Sequence, residues 1–511
     1  MNTYRKAVTV LALTVIGAGC SEFLSGPGLT ENPNNPTVAT PLQKLVAVQA
    51  NMATRLEGQL ARCAGIFTQQ LIGSNNQQLT WCTGYAMSES DISGAMSGFY
   101  TGAGLKGLRD IQAAAQASSD NFLLGIAKIW EGYAMGTAAS VWGDLPYREA
   151  VTDGILSPAL DPQQQVYADV QTRLDEGITA LSGLLLPTPP VGNCVPSEGD
   201  LIYCATAASR ATEIGRWIRA AHTLKARFYL HLVERQGVTA YQSALAEANL
   251  GINEVPTSQA NAIHGQGPGD FRTFHGSIQD FDANVWAEFL TARQDIVAGN
   301  ALVSILKARN DTVRLRSYFD TTSVAHTGAG PGMIPAKFAG NDQNNVIVRP
   351  PPPGCPAVPP PPATPPACPA SLVNSSVRKV FTFRQPLVTW AENQLILAEA
   401  KFMTADSAGG AANVNAVRAA VGLPALAAPT FVDVMTEKYI AMFQNIDVWS
   451  DYKRTCIPTL TPNGAAPEVI GRLPYGSGER TANANIPLPS AYPAGTTGSS
   501  PVRNWNDPNA C

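Results

Sequence analysis

The side chains in this chain best suited to chemistry are nine cysteines, five histidines and a few acidic pairs, and their spacing argues against catalysis. Gly102-Ala103-Gly104-Leu105-Lys106-Gly107 satisfies G-x-G-x-x-G. No strand pattern precedes it and no βαβ unit surrounds it, so a dinucleotide site fails its context. Glu392 and Glu399 stand seven residues apart on one predicted helix, a rise of about 10 Å. Paired glycosidase carboxylates sit roughly 5–9.5 Å apart, so buried or capping roles suit these two glutamates better. His222, His231, His264, His275 and His326 show no helical metal-ligand spacing. No two cysteines are closer than ten residues, too wide for the usual zinc patterns. No metal, no cofactor and no enzymatic activity are expected.

What remains is recognition. Flat apolar faces beside amides and carboxylates suit sugar rings with their hydroxyls, and peptides as well. Two stretches combine them. The first runs Gly73-Ser74-Asn75-Asn76-Gln77-Gln78-Leu79-Thr80-Trp81-Cys82-Thr83-Gly84-Tyr85. The second is Asp270-Phe271-Arg272-Thr273-Phe274-His275, continuing to Asp280, Phe281, Asp282, Asn284 and Trp286. The candidate ligand contacts are Trp81, Tyr85, Asn75, Asn76, Phe274 and Trp286, with Trp81 foremost. Other aromatic motifs read as structural. Trp142-Gly143-Asp144-Leu145-Pro146-Tyr147 closes a helix at Gly and turns through Pro, with Asp144 able to bond nearby amides. Trp449, Asp451 and Arg454 share a helix on which Asp451 and Arg454, three apart, can pair.

The N-terminus carries chemistry of another kind. Arg5 and Lys6, an apolar run from Ala7 to Ile16, and Gly17-Ala18-Gly19 lead to Cys20. That order reads as a lipoprotein signal over residues 1–19 with Cys20 as the lipidated mature N-terminus, because ten apolar residues cannot span a hydrocarbon core of about 30 Å. Lipoprotein signals usually place Leu, Val or Ile where Gly17 stands here. Acyl chains worth about 0.8 kcal/mol per buried methylene hold such a protein on a membrane surface. Export implies an oxidising compartment. The other eight cysteines are an even set, read as four local bridges: Cys63 with Cys82, Cys194 with Cys204, Cys355 with Cys368, and Cys456 with Cys511. Losing Arg5 and Lys6 with the leader lowers the formal charge from −4 by two, and nothing suggests a nucleic-acid partner.

The elements that must position these groups are helical. Residues 20–40, rich in Gly, Pro and Asn, read as a tether, and from Pro41 onward Leu45, Val48, Met52, Leu56, Leu60 and Ile66 recur at helical spacing. Similar segments follow at 97–116, 121–141, 162–186, 210–235, 240–252, 296–308, 385–405, 411–421 and 429–444. The fold class is mainly α, with helix pairs in series but no clean tetratricopeptide repeat. Irregular stretches at 71–95, 187–209, 253–295, 320–384 and 455–511 suggest a binding face on a rigid helical base. Residues 41–511 are expected to form a single domain with an insertion at 350–369, whose twelve prolines favour polyproline II.

Six phrases, in order, carry a family resemblance: LTENPNNPT at 29–37, VWGDLPYREAV at 141–151, LKARFYLHL at 224–232, WAENQLILAEA at 390–400, EKYIAMFQNIDVWSDYKRTCIPTL at 437–460, and RLPYGSGERTANAN at 472–485. Together the sequence resembles the SusD/RagB-like outer-membrane nutrient-binding lipoproteins. The resemblance implies a SusD-like fold in which tetratricopeptide-like helix pairs support a loop-rich ligand-binding region. It implies a cell-surface, lipid-anchored protein that captures glycans, or in some branches peptides, and passes them to a SusC-like TonB-dependent transporter without catalysis. It also implies ligand contacts in the loop after the first long helix and in the middle irregular region. A secreted glycoside hydrolase on a helical scaffold and a helical adaptor that binds only protein are the alternatives.

Overall fold

Thr40 and Gln43 form a capping box, with Pro41 at the first helical position, and these fix the start of helix α1 (Pro41–Glu57). The computed structural model describes residues 39–188, 190, 192, 199–204, 206–277, 282–292, 295–319, 377–463, 468–487, 503–509 and 511. The leader, Cys20, the tether up to residue 38, Cys194, Asp280, Phe281, His326, and the 350–369 insertion with Cys355 and Cys368 lie outside the described residues. After α1 come α2 (Gln59–Phe67), α3 (Glu89–Ser97), α4 (Leu105–Ser118), α5 (Asn121–Trp142), α6 (Gln163–Ser182) and α7 (Arg210–Leu230). Next are α8 (Val233–Gln236), α9 (Val238–Ala248), α10 (Gln259–His264), α11 (Val285–Ala292), α12 (Asn300–Ala308) and α13 (Thr312–Tyr318). The last are α14 (Trp390–Met403), α15 (Ser407–Ala420), α16 (Phe431–Ala441), α17 (Asp447–Thr455) and α18 (Ser477–Ala482).

Strand β1 (Leu71–Gly73) pairs antiparallel with β3 (Ile296–Ala298), and β2 (Phe271–Arg272) with β4 (Pro386–Val388). The chain is therefore mainly α, as expected, and the differences are local. The helix expected over 97–116 begins only at Leu105, because Gly98, Gly102 and Gly104 sit in a turn after α3. The G-x-G-x-x-G run thus follows a helix and not a strand. The stretch 71–95, read as irregular, holds β1, a π-helix at Gln78–Thr83 and most of α3. Likewise 253–295 contains α10 and α11, and Ile296–Ala298 is strand where helix was expected, since three apolar residues are too few for periodicity to discriminate.

Successive helices pack side by side: α1 on α4, α4 on α5, α5 on α6, α6 on α7, α7 on α9, α9 on α14, and α14 on α15 and α16. Helix α5 is buried over most of its length. Its Gly136 admits Phe228 of α7, whose ring carbon would lie 2.4 Å from an added Cβ. Phe271 brings β2 into the core, edge-on to Trp130 at 5.0 Å and Trp217 at 5.1 Å.

Buried charges cross-link these layers. Arg227 of α7 donates to both Glu392 oxygens of α14 at 2.6 and 2.7 Å. His231 lies between Tyr167 Oη and Asp447 Oδ1, 3.0 Å from each. Glu399 of α14 receives Arg454, and Lys438 lies 3.4 Å away. Asp451 pairs with Lys438 at 3.0 Å and with Arg454 at 2.5 Å. Burial alone would raise the Glu399 carboxyl, but the Arg454 and Lys438 cations prevail and hold it low. Both glutamates are structural: Glu392 also closes the α14 capping box with Thr389. The Trp142-to-Tyr147 turn is structural too, with Asp144 Oδ1 accepting from Gln163 N at 2.8 Å and Trp142 Nε1 donating to Pro474 O at 3.0 Å. Disulfides join Cys63 to Cys82 and Cys456 to Cys511, and Cys204 is disulfide-bonded.

Glu399→Ala leaves Lys438 and Arg454 sharing a single buried carboxylate, Asp451. Urea unfolding should register a loss of about 3–5 kcal/mol, and a loss under about 1 kcal/mol, the size of an exposed pair, would contradict the role assigned to Glu399.

Candidate functional site

The 73–85 loop leaves the helical base through β1 and is tied back at several points. Cys82 is bonded to Cys63 of α2. Thr83 Oγ1 accepts from Gly73 N at 2.9 Å and donates to Gly73 O at 3.0 Å, closing the loop on its own start. A Cβ on Gly73 would lie 2.1 Å from Gln78 O, so glycine is required at this crossing. Ser74 N donates to Asp295 O at 2.8 Å, and Asn76 Nδ2 to Asp295 Oδ1 at 2.9 Å. Asn76 takes φ 47°, a left-handed conformation that Asn tolerates. Between these ties runs the π-helix, a rare form frequent at functional sites. The loop exposes Asn75, Asn76, Gln77, Leu79 and Thr80 and leaves Trp81 half-buried against the core.

Phe274 is presented differently. Phe274 is 47% exposed, while both its sequence neighbours are anchored on one buried carboxylate. Thr273 Oγ1 donates to Glu57 Oε2 at 3.1 Å, and His275 Nε2 lies 2.8 Å from Glu57 Oε1. His275 Nδ1 lies 3.2 Å from Asp282 O. Burial alone would lower the His275 pKa, but the Glu57 carboxylate, aided by the Asp282 carbonyl, raises it above 6.5. Glu57 ends α1 and Cys63 lies in α2, so the anchors of both segments occupy one helix corner. At that corner the Arg62 guanidinium also sits 4.3 Å from the Phe289 ring centroid.

The six candidate contacts therefore divide. Asn75, Asn76 and Trp81 share the tied loop, and Phe274 faces solvent from the second segment. Tyr85 and Trp286 offer no ring face to a ligand, being 2% and 0% exposed. Tyr85 packs edge-on to Phe67 at 5.9 Å, its hydroxyl accepts from Asn463 N at 3.4 Å, and burial pushes its pKa up to about 12. Asn284 is structural as well, donating to Phe383 O at 2.9 Å and accepting from Ala287 N at 2.9 Å. Asp270 accepts from Trp390 N at 2.7 Å and Gly267 N at 2.7 Å. The contribution of Glu57 had no local signal, lying 216 residues from Thr273.

Among the described residues no group of three or more His, Cys, Asp or Glu side chains is placed to hold a metal ion. Nor is any helix among them long and apolar enough to cross a membrane. The arrangement offers reversible contacts: amides, a hydroxyl and two aromatic surfaces on a tied-down base.

A SusD-like family model described as "Starch-binding associating with outer membrane" matches residues 33–475. Solved structures share the fold. A SusD/RagB family protein from Bacteroides thetaiotaomicron is 18% identical, with 92% of this chain and 99% of that chain covered at a TM-score of 0.64. A chitin-binding SusD homolog from Flavobacterium johnsoniae is 16% identical, with 92% and 99% covered at 0.66. A SusD homolog from Bacteroides uniformis is 16% identical, with 91% and 99% covered at 0.62. No curated protein matches the chain.

A histidine whose pKa is raised by folding contributes stability that is complete below its ordinary value of 6.5 and is lost as pH rises through the raised value. Glu57→Gln removes the attraction that raises it. In an NMR titration the His275 midpoint should therefore fall in this variant, and an unchanged midpoint would dissociate His275 from Glu57.

Proposed function

Because the chain belongs to the SusD-like family of starch-binding, outer-membrane-associating proteins, we propose that it is a cell-surface lipoprotein, anchored through Cys20, that captures an oligomeric glycan and delivers it to a SusC-like TonB-dependent transporter. The observation that carries this reading is the exposed amide-and-aromatic loop at 75–81, tied down by the Cys63–Cys82 bridge and Asp295. Trp81 supplies a ring face, Asn75, Asn76 and Gln77 supply donors and acceptors for sugar hydroxyls, and Phe274 supplies a second apolar contact. Capture needs no bond to be made or broken, so the protein acts by binding and release. Modest affinity suits the hand-over, since a ligand held too tightly would not leave.

The chain from Ser21 onward, tested against a glycan array with chitin and starch oligosaccharides among its members and against a peptide pool, should bind a glycan. Trp81→Ala should weaken that binding about tenfold. Phe274→Ala should weaken it without shifting the melting temperature, since exposed positions contribute little to stability. Peptide binding with no glycan bound would redirect the ligand class, and glycan turnover would overturn the binding role. The anchor is checked separately: the mass of the mature protein should show Cys20 as an acylated N-terminus, and an unacylated mature N-terminus would remove the lipid anchor while leaving capture intact.

A further inference from the structure

A small, partly open cleft lies among α10, α13, α15, β4 and the C-terminal end of α16. Its walls include two arginines, Arg314 and Arg378, besides apolar side chains such as Val417 and Met442. Arg314 is fully matched in charge. Its Nε reaches Asp311 at 2.5 Å and its Nη2 reaches Glu437 at 2.7 Å. Arg309 and Arg418 also meet Glu437, and Arg309 meets Asp433 at 3.1 Å. Three cations thus face three carboxylates, yet Arg314 Nη1 is buried and makes no hydrogen bond.

Arg378 has no such match. It is 4% exposed, and its partners are all neutral acceptors: His264 Nδ1 at 3.2 Å, Phe443 O at 3.3 Å and Gln444 Oε1 at 2.8 Å. The rings of Tyr318, Phe383 and Phe443 surround the guanidinium at 5.4, 5.5 and 5.4 Å. No carboxylate among the described residues acts on it, and burial pushes its pKa down to about 10. A cation buried without an opposite charge is costly. A negative charge in the adjoining cleft would offset that cost and give Arg314 Nη1 an acceptor.

We propose that this cleft binds a small monovalent anion, a halide or a carboxylate group, through the guanidinium groups of Arg378 and Arg314. The inference is independent of the glycan reading, since it rests on other side chains and asks nothing of Trp81 or Phe274. The planar guanidinium suits a carboxylate through two parallel hydrogen bonds and a halide through one bifurcated contact.

Crystals of the full chain grown in sodium bromide and measured at the bromine absorption edge should show an anomalous peak within hydrogen-bonding distance of Arg378, and Arg378→Met should lose it. In solution the melting temperature of the wild type should rise saturably with bromide or formate, in excess of Arg378→Met in the same salts. A response to bromide alone assigns a halide, and a response to formate as well assigns a carboxylate. If Arg378→Met does not fold, Arg378→Lys should weaken the response about tenfold, because an ammonium replaces the fork. A wild-type crystal without the peak, a peak that survives Arg378→Met, or a carboxylate of the chain itself seated on Arg378 overturns the proposal.

Discussion

The interaction on which the rest of the molecule depends is the chain of buried ion pairs and hydrogen bonds joining α7, α14, α16 and α17. Arg227, Glu392, Asp447 and His231 form one half, and Glu399, Lys438, Asp451 and Arg454 the other. Desolvating so many charges gains little net stability over an apolar core of equal volume. Its value lies in matching: each carboxylate has a cation only if the four helices keep one register. A slip along any helix strands charges in the interior, and that penalty makes the arrangement specific.

From this network the structure reaches the loop face in a few steps. Helix α17 carries Asp447, Asp451 and Arg454 on one side and Trp449 on another. The Trp449 indole donates to Ile470 O at 2.8 Å and packs 5.1 Å from Phe67 at the end of α2. Phe67 supports Tyr85, and α2 holds Cys63. Lys453, next along α17, donates to Ser140 O at 2.6 Å and pairs with Asp507 at 3.1 Å, tying the C-terminal segment to α5. The loop that presents Trp81 is thus mounted on a base whose position is set by charges well behind it. Such a base limits the conformational freedom of the loop itself.

Much of this was legible in the residues. Periodic Leu, Val and Met placed α1 and most later helices, although the helix expected over 385–405 begins only at Trp390, because Pro386–Val388 pairs as β4. The seven-residue spacing of Glu392 and Glu399 argued against paired catalysis, and the structure gives each its own arginine. The π-helix, α3 and the short strands were not legible. They are brief, carry few apolar residues, and are fixed by distant partners: β1 by β3, and the Gln78–Thr83 turn by Gly73 and Cys63.

Local pattern in the sequence alone determined the helical class, the separation of Glu392 from Glu399 along one helix, and the two stretches where aromatics stand beside amides. These follow from spacing along the chain, which periodicity and reach convert directly into geometry. Only the tertiary structure decided which of those aromatics could meet a ligand. Trp81 and Phe274 keep surface because their anchors, Cys63, Asp295 and Glu57, hold their neighbours and not their rings. Tyr85 and Trp286 go inward because Phe67, Asn463 and the core close over them. Exposure is set by residues far away in sequence, and no local pattern encodes where those residues will lie.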